Sequence, residues 1–309
     1  MHMAAVLFVL SVLLIKAGVS ALPTPRNFRT RASPTALSPT QLSSFAPFTQ
    51  FARAAYCDPS KIEGWQCGEA CDALPGFEPT LTGGDANSIQ FFFVGFWPDQ
   101  NTVVVAHQGT DPTKIKSDLT DLNIAKRVLD PTLFPGVPDG VEVHSGFADA
   151  HEKTASQILT EVKRLMATHR TTNVTLIGHS LGGALAELDS LFMKLNLPMG
   201  TTIKGVTYGT PRVGNSKFVT LFDQQVSDFT RVNNKSDLVP IIPGRFLGFA
   251  HPHGEVHIVE PGNAVSCPGD DDAVDSQCQI KTVSNIFEGN ILDHLGAYEG
   301  IFIGTPFCT

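Results

Sequence analysis

The chain has 309 residues, of which 42% are hydrophobic and 17% charged, and its formal net charge is −8. This apolar content is enough for a folded core, and it excludes a wholly disordered chain and a protein that crosses the membrane many times. Acidic residues outnumber basic ones by 30 to 22, and no run rich in lysine or arginine interrupts them, so nucleic-acid binding is not expected. The composition predicts a soluble globular protein.

The N-terminus is typical of a secretory leader. An apolar stretch from Met3 to Ile15 precedes Lys16 and the small-residue triplet Val19-Ser20-Ala21. The stretch is short for a membrane span and no second long apolar run follows, so we expect a signal peptide over residues 1–21 and no transmembrane anchor. A buried N-terminal helix is the alternative. Residues 22–37 are interpreted as a pro-segment or flexible arm, which leaves one domain over residues 38–309 and an extracellular location.

All six cysteines follow the leader, and an even number in a secreted chain favours three disulfides. Sequence alone allows fifteen pairings. Two pairs are close along the chain, which leaves the first and last cysteines to join the two ends of the domain. The predicted bridges are Cys67–Cys71, Cys267–Cys278 and Cys57–Cys308. A zinc site is disfavoured because no pair has the spacing of a zinc knuckle.

Helix and strand patterns follow in chain order. Apolar residues at helical spacing after Ser38 predict one helix that reaches Ala55. Residues 89–97 and 102–106 are strand-like on either side of a turn and predict a hairpin. The apolar stripe from Phe147 to Leu165 predicts one long helix.

The remaining elements alternate. Strands are predicted over residues 174–177, 203–208 and 229–232, with helices over 183–195 and 216–226 between them. Strands separated by helices imply a largely parallel sheet with helices on both faces, which is the α/β class.

The candidate nucleophile is Ser180, in the motif Gly178-His179-Ser180-Leu181-Gly182. The motif follows an apolar β-branched strand and enters a helix of small residues, as a nucleophile elbow requires. Such a turn presents the hydroxyl outward, while backbone N–H groups at the helix start face the developing oxyanion. The alternative is a glycine-rich turn with a solvated serine.

A serine nucleophile needs a histidine to take its proton and a carboxylate to orient that histidine. In α/β-hydrolases these follow the serine in the order acid, then histidine. Asp237 follows a predicted strand and is the preferred acid. Asp223 and the run that starts at Asp270 are interpreted as solvated.

Two positions remain open for the histidine. His294 follows every other candidate along the chain, and the pair His251 and His253 is the competing choice. Spacing alone does not decide between them.

The chain resembles the fungal class 3 lipase family, which includes filamentous-fungal lipases and feruloyl esterases, over residues 38–309. Five blocks carry the resemblance in the family's order: Val143-His144-Ser145-Gly146-Phe147, the Gly178–Ala184 elbow, Tyr208–Asn215, Asn233–Pro240 and Asp293-His294-Leu295. The resemblance implies an α/β-hydrolase fold with the catalytic triad Ser180, Asp237 and His294. It also implies that His251 is structural.

One oxyanion-hole donor is expected to be the N–H of Leu181, which follows the nucleophile. The resemblance places the second at Thr110, through its backbone N–H. Before that position the family has an aromatic residue and an arginine, where this chain has His107 and Gln108, so an arginine tether of this loop is in doubt. For His107, a packed strand-end histidine is favoured over a direct role with substrate.

Residues 111–124 occupy the place of the family's helical lid. Their apolar residues alternate with charged ones, which fits either a lid that opens at an oil surface or a solvated surface helix. After the acid, the apolar residues 246–250 either line an acyl groove or pack in the core. Asn173 and Asn234 begin glycosylation motifs in crowded places.

These features predict a secreted serine carboxylic ester hydrolase, and specifically a triacylglycerol lipase that works through an acyl-enzyme. Its partner would be an ester substrate at a lipid–water interface, with no metal or cofactor, and the protein would be a monomer. A feruloyl or other cell-wall or short-chain esterase on the same fold is the alternative. A non-catalytic lipid- or glycan-binding protein is disfavoured because all three triad residues are present.

Overall fold

The computed structural model describes residues 33–115, 124–271 and 274–308. The predicted signal peptide and the first part of the predicted arm lie outside the described residues. Along the part of the chain that is described, no helix combines the length and apolar character needed to cross a membrane.

Two sets of elements build the domain. The strands are β1 (Thr35–Ala36), β2 (Glu78–Gly83), β3 (Phe92–Trp97), β4 (Thr102–His107), β5 (Lys126–Val128), β6 (Glu142–His144), β7 (Asn173–His179), β8 (Thr202–Tyr208), β9 (Asp228–Asn234), β10 (Glu255–Glu260) and β11 (Asn263–Ser266). The helices are α1 (Pro39–Ser43), α2 (Ala46–Ala54), α3 (Pro59–Glu63), α4 (Glu69–Asp72), α5 (Ser145–Glu152), α6 (Ala155–His169), α7 (Leu181–Asn196), α8 (Ser216–Gln225), α9 (Gln279–Thr282) and α10 (Ile291–His294).

Within the described residues, nine strands form one sheet in the order β1-β11-β10-β9-β8-β7-β4-β3-β2. The five central strands, from β10 to β4, pair in parallel. The outer strands pair antiparallel, including the predicted hairpin of β3 and β4, which is confirmed. Parallel central strands bring their carboxyl ends to one edge, where α/β enzymes place their ligands.

The sheet is buried on both faces, and the alternation of side chains in β4 shows how. Val103 and Val105 pack with α5, α6, α7 and α8 on one face. Val104 and Ala106 pack with α2, α3 and α4 on the other. A strand that is buried on both faces has a continuous run of apolar residues, so β4 can be recognised from the sequence.

Two predicted helices are each divided in the structure. The first breaks between α1 and α2 because Pro47 stands in the first turn of α2, where the missing N–H costs nothing, whereas in a continuous helix it would clash with the preceding turn. The second breaks at Lys153 and Thr154, between α5 and α6. Both predictions of a single helix are therefore wrong, although the apolar stripes are placed correctly.

The end of the predicted arm belongs to the sheet. Thr35 and Ala36 pair antiparallel with β11, and the Leu37 N–H donates to the Ala264 carbonyl at 2.9 Å. The arm predicted over residues 22–37 therefore does not extend to residue 37. The cause is a backbone pairing with a strand far along the sequence, which local composition does not reveal.

The predicted disulfide framework is confirmed: the bridges are Cys57–Cys308, Cys67–Cys71 and Cys267–Cys278. The first joins residues 251 positions apart and closes the domain. The third lies beside α9, close behind the loop that follows β9.

Candidate active site

Ser180 lies on a sharp turn between β7 and α7. Its φ of 59° and ψ of −129° lie in a region that a serine rarely adopts, as expected of a nucleophile elbow. The turn closes because its neighbours are glycines. A Cβ on Gly178 would lie 2.0 Å from the Gly182 carbonyl oxygen, and one on Gly182 would lie 2.2 Å from the His107 carbonyl oxygen.

Asp237 and His294 form a buried pair at the same edge of the sheet. The His294 Nδ1–H donates to Asp237 Oδ2 at 2.8 Å, and both side chains are fully buried. The other carboxylate oxygen of Asp237 accepts from the Val239 N–H at 2.8 Å. Because Nδ1 is the donor, His294 Nε2 is left as an acceptor, and it is buried without a hydrogen-bond partner among the described residues.

His179, the residue before Ser180, contacts His294. Its Nε2–H donates to the His294 carbonyl oxygen at 2.7 Å, and the two imidazole rings lie 4.4 Å apart. The Tyr56 hydroxyl donates to His179 Nδ1 at 2.6 Å. Burial, and secondarily the proximity of His294, hold the pKa of His179 well below its usual value, so His179 stays neutral. Because Ser180 directly follows His179 in the chain, the contact between His179 and His294 links the Ser180 turn to the His294 backbone.

A glycine at position 209 lets the pair approach. A Cβ there would lie 2.7 Å from both Asp237 Oδ2 and His294 Nδ1. Its φ of 52° is also one that glycine adopts at little cost. Gly209 belongs to the Tyr208–Asn215 block that carries the family resemblance. Packing explains this glycine, because a side chain there would clash with Asp237 and His294.

Asn234 joins the loops that carry the acid and the histidine. Its side-chain amide donates to the Asp293 carbonyl at 2.8 Å, and the residue is fully buried. A glycan therefore has no room at this predicted acceptor in the folded protein. Asn173 is half-buried, and its amide donates to the Asn101 carbonyl at 3.2 Å.

Residues 108–110, named here the oxyanion loop, run beside Ser180. A Cβ on Gly109 would lie 2.7 Å from Ser180 Cβ and 2.5 Å from the Tyr56 hydroxyl, so the backbone passes in contact with the nucleophile. Thr110 follows directly and is half-buried. Leu181 begins α7, so its N–H has no partner within the helix and is available at the turn.

Comparison with known proteins identifies the family. A family profile described as "Lipase (class 3)" matches residues 104–247. The secreted mono- and diacylglycerol lipase MDL2 of Malassezia globosa is 32% identical over 273 residues, which make up 86% of this chain and 84% of that protein. The chain belongs to the class 3 lipase family.

A further relative and a solved structure are also similar to this chain. The secreted mono- and diacylglycerol lipase LIP2 of Malassezia restricta is 32% identical over 200 residues, and the match covers 61% of that relative's length, which is less than two thirds. Lipase II from Rhizopus niveus has a solved structure that superposes with a TM-score of 0.77 at 25% identity, covering 90% of this chain and 100% of that one. The predicted α/β-hydrolase fold is confirmed.

The other histidines of this class 3 lipase hold structure in place. The His251 Nε2–H donates to the Pro240 carbonyl at 2.7 Å, in the loop that carries Asp237. His253 Nδ1 lies 2.6 Å from Asp223 Oδ1. Of the three histidines that the sequence leaves open as the partner of the acid, only His294 contacts Asp237. The geometry therefore favours His294 over His251 and His253.

Two aspartates predicted to be solvated are partnered. Asp223 binds His253, and Asp271 lies buried against Arg212, with Nη2 to Oδ1 at 3.2 Å. The Arg212–Asp271 pair joins positions 59 residues apart. The interpretation as solvated is therefore wrong for Asp271, whereas Asp223 is partly exposed beside His253 and Asp270 is exposed. A partner 59 residues away leaves no local signal at Asp271.

An apolar groove of about 620 Å³ opens beside the acid loop, which is defined as residues 235–241. Its lining includes Ile241, Leu247 and Ile286. Of the predicted apolar segment 246–250, Phe246 is 91% exposed at the groove and Phe249 is 2% exposed in the core. Phe249 therefore packs in the core, as one alternative predicts, whereas Phe246 lines an apolar groove whose occupancy by an acyl chain stays a prediction.

The lid hypothesis concerns residues that are mostly outside the described part of the chain. Residues 116–123 lie outside it. At the two ends of the predicted lid, Ile115 is buried and Ile124 is 48% exposed at the groove. The lid stays a prediction.

Proposed function

We propose that this class 3 lipase is a secreted, monomeric serine hydrolase that cleaves carboxylic esters of acylglycerols at a lipid–water interface. The observation that carries the proposal is the buried Asp237–His294 pair with an unpartnered Nε2, which is tied by a hydrogen bond to His179, the residue that directly precedes the elbow serine. A buried imidazole with one nitrogen fixed by a carboxylate and the other left to accept a proton is the arrangement that activates a serine.

The reaction then follows from the roles of the residues. Ser180 attacks the ester carbonyl and passes its proton to His294, while Asp237 orients and stabilises the imidazolium. The backbone N–H groups of Leu181 and Thr110 donate to the oxyanion of the tetrahedral intermediate. His294 protonates the departing alcohol, and water hydrolyses the acyl-enzyme by the same route in reverse. The cycle uses only these groups and water.

The substrate class rests on the groove and on the relatives. Similar proteins are named secreted mono- and diacylglycerol lipases, and another relative, from Rhizopus niveus, is named a lipase. An apolar groove with exposed Phe246 at its rim suits an acyl chain better than a polar sugar ester. Both facts favour acylglycerols over feruloyl esters.

The test is side-by-side hydrolysis of emulsified triacylglycerol, diacylglycerol and monoacylglycerol, a short-chain nitrophenyl ester, and methyl ferulate. We expect at least one acylglycerol to give the highest kcat/KM, and Ser180→Ala to abolish hydrolysis of all five. The ranking among the three acylglycerols decides whether the triacylglycerol prediction holds. A preference for methyl ferulate, or equal rates with Ser180→Ala, would overturn the proposal.

A further inference from the structure

A buried aspartate on α7, the helix that Ser180 begins, holds two histidines from separate parts of the fold. The His107 Nε2–H donates to Asp189 Oδ2 at 2.7 Å, and the His151 Nε2–H donates to Asp189 Oδ1 at 2.8 Å. His107 ends β4 and His151 lies on α5. All three side chains are buried, with exposed fractions of 2% or less.

Asp189 is ionised in its contact with the two histidines. Burial by itself raises the pKa of Asp189, but the hydrogen bonds from His107 and His151 outweigh it, so this pKa lies below its usual value. The aspartate therefore stays ionised. Removing either histidine would leave a buried carboxylate short of a partner, and hydrogen bonds to a charged acceptor are stronger than those between neutral groups. Asp189 is thus a strong tether for the end of β4.

His107 directly precedes the oxyanion loop. Its carbonyl oxygen lies against Gly182, where a Cβ would approach to 2.2 Å, so the strand end touches the first turn of α7 through its backbone as well. On the other side, Gln108 exchanges two hydrogen bonds with Phe91: its N–H donates at 2.8 Å, and its side-chain oxygen accepts at 2.9 Å. The loop is therefore held between β3 and α7.

We propose that His107, Asp189 and His151 are positioning residues that clamp the oxyanion loop to the helix that carries the nucleophile. The proposal rests on the proposed function, in which Thr110 donates from this loop to the oxyanion. The clamp begins at His107, one residue before Gln108, the position at which the family resemblance implies an arginine that this chain lacks. Loosening the clamp displaces the Thr110 N–H relative to Ser180, and it leaves the apolar groove unchanged, because none of the groove's lining residues belongs to the clamp or to the oxyanion loop.

The test compares Asp189→Asn and His107→Leu with the wild type on a soluble nitrophenyl ester, well below the melting temperature of each variant. We expect kcat to fall about 10- to 100-fold, with KM changed by less than about threefold, because a misplaced oxyanion donor acts only in the transition state. His107→Gln carries an amide nitrogen at similar reach, and it should restore kcat to within about fivefold of the wild type.

A matched control is Asp223→Asn, which removes the carboxylate of the His253 pair on α8. This pair is also a histidine–aspartate contact, but it does not adjoin the oxyanion loop. We expect its kcat to stay within about twofold of the wild type. A purely structural role for the clamp predicts that His107→Leu, when fully folded, is equally active.

A second readout separates the clamp from the proposed function. A nitrophenyl phosphonate places an oxyanion-like oxygen at the site when Ser180 displaces nitrophenol, so its labelling rate reports on the oxyanion loop. If the wild type is labelled and Asp189→Asn is labelled about tenfold or more slowly, the clamp is supported. If both are labelled equally fast, the clamp alone fails. If the wild type neither reacts nor hydrolyses esters, the proposed function fails and the clamp fails with it.

Discussion

The acid loop and the oxyanion loop both leave the carboxyl ends of sheet strands, yet they are held in different ways. In the acid loop the backbone carbonyls are bound one after another by side chains or backbone from elsewhere. Lys235 accepts from His257, Ser236 from Asn290, Asp237 from Gln279 and Pro240 from His251. The oxyanion loop is held by the two hydrogen bonds between Gln108 and Phe91, by close packing around Gly109, and by the Asp189 contact of His107, the residue before it.

The difference follows from what each loop presents. The acid loop must aim a side chain, so its backbone has to be fixed on several sides before the Asp237 carboxylate has one orientation. In the proposed mechanism the oxyanion loop contributes a backbone N–H, so the distance of this loop from Ser180 matters more than the identity of its side chains. The acid loop can therefore be recognised in the sequence by its polar residues, whereas the oxyanion loop has few recognisable residues apart from Gly109.

The acid side should give the largest effects. Ser180→Ala, Asp237→Asn and His294→Ala are each expected to lose at least about three orders of magnitude in kcat, because triad residues act as a unit. The measurement is initial-rate hydrolysis of a nitrophenyl ester by folded protein. His251→Ala, which removes a backbone contact of the same loop, should lose far less. An inactive, folded His251→Ala beside an active His294→Ala would reverse the assignment of the base.

Gly109→Ala tests the oxyanion side. The added Cβ would lie 2.4 Å from the His179 carbonyl oxygen and 2.7 Å from Ser180 Cβ, so the loop has to shift. We expect kcat to fall about 100-fold, with KM nearly unchanged. Gly64→Ala is the control, since its Cβ meets only Gln66 at 3.7 Å. Equal kcat values for the two variants would show that the loop tolerates displacement.

The disulfides separate activity from stability. Gln279, which donates to the Asp237 carbonyl at 2.6 Å, follows Cys278, so Cys267→Ser/Cys278→Ser should lower kcat about 5- to 20-fold. Loss of this short loop closure should also lower the free energy of unfolding by about 3 kcal/mol in the chain-entropy account.

The terminal bridge is the matched comparison. Cys57→Ser/Cys308→Ser opens a loop of 251 residues and should cost about 5 kcal/mol of unfolding free energy in the same account, with kcat of the folded protein nearly unchanged. Denaturant unfolding and kcat are measured on both variants. A terminal-bridge variant that loses more kcat than the Cys267/Cys278 variant would contradict the link between α9 and the acid loop.

The smallest effect concerns the segment that continues the oxyanion loop. If residues 111–124 form a lid, the rate should rise about two- to tenfold as ester concentration passes its solubility limit, because the apolar side exchanges protein contacts for lipid. Leu119→Ser should reduce that rise. A smooth saturating curve, the same for wild type and variant, would show that the segment is a fixed wall.

Sequence reasoning reached the parts of the molecule with local signals. Three features have a structural cause that is visible within a few residues of sequence: the apolar run of β4, the glycines around Ser180 and the cysteine spacings. The pairing of Asp237 with His294 came from the family resemblance, because spacing alone left His251 and His253 open.

The parts that were missed depend on distant partners. Asp271 is neutralised by Arg212, Asp189 gathers His107 and His151, and β1 pairs with β11. Each contact joins segments that are far apart along the chain, so a single sequence holds no trace of it. The split at Pro47 is different, because the proline that begins α2 is a local signal, although the apolar spacing around it is that of one continuous helix.

The two-residue strand β1 has a consequence for how the protein is handled. It covers the outer side of β11, which without β1 would end an eight-stranded sheet with unpaired backbone donors and acceptors. Such a bare edge is a template for pairing with a second chain. Proteolytic trimming that removes Thr35 and Ala36 should therefore promote self-association at high concentration, so the position of an N-terminal cleavage site governs colloidal behaviour as well as length.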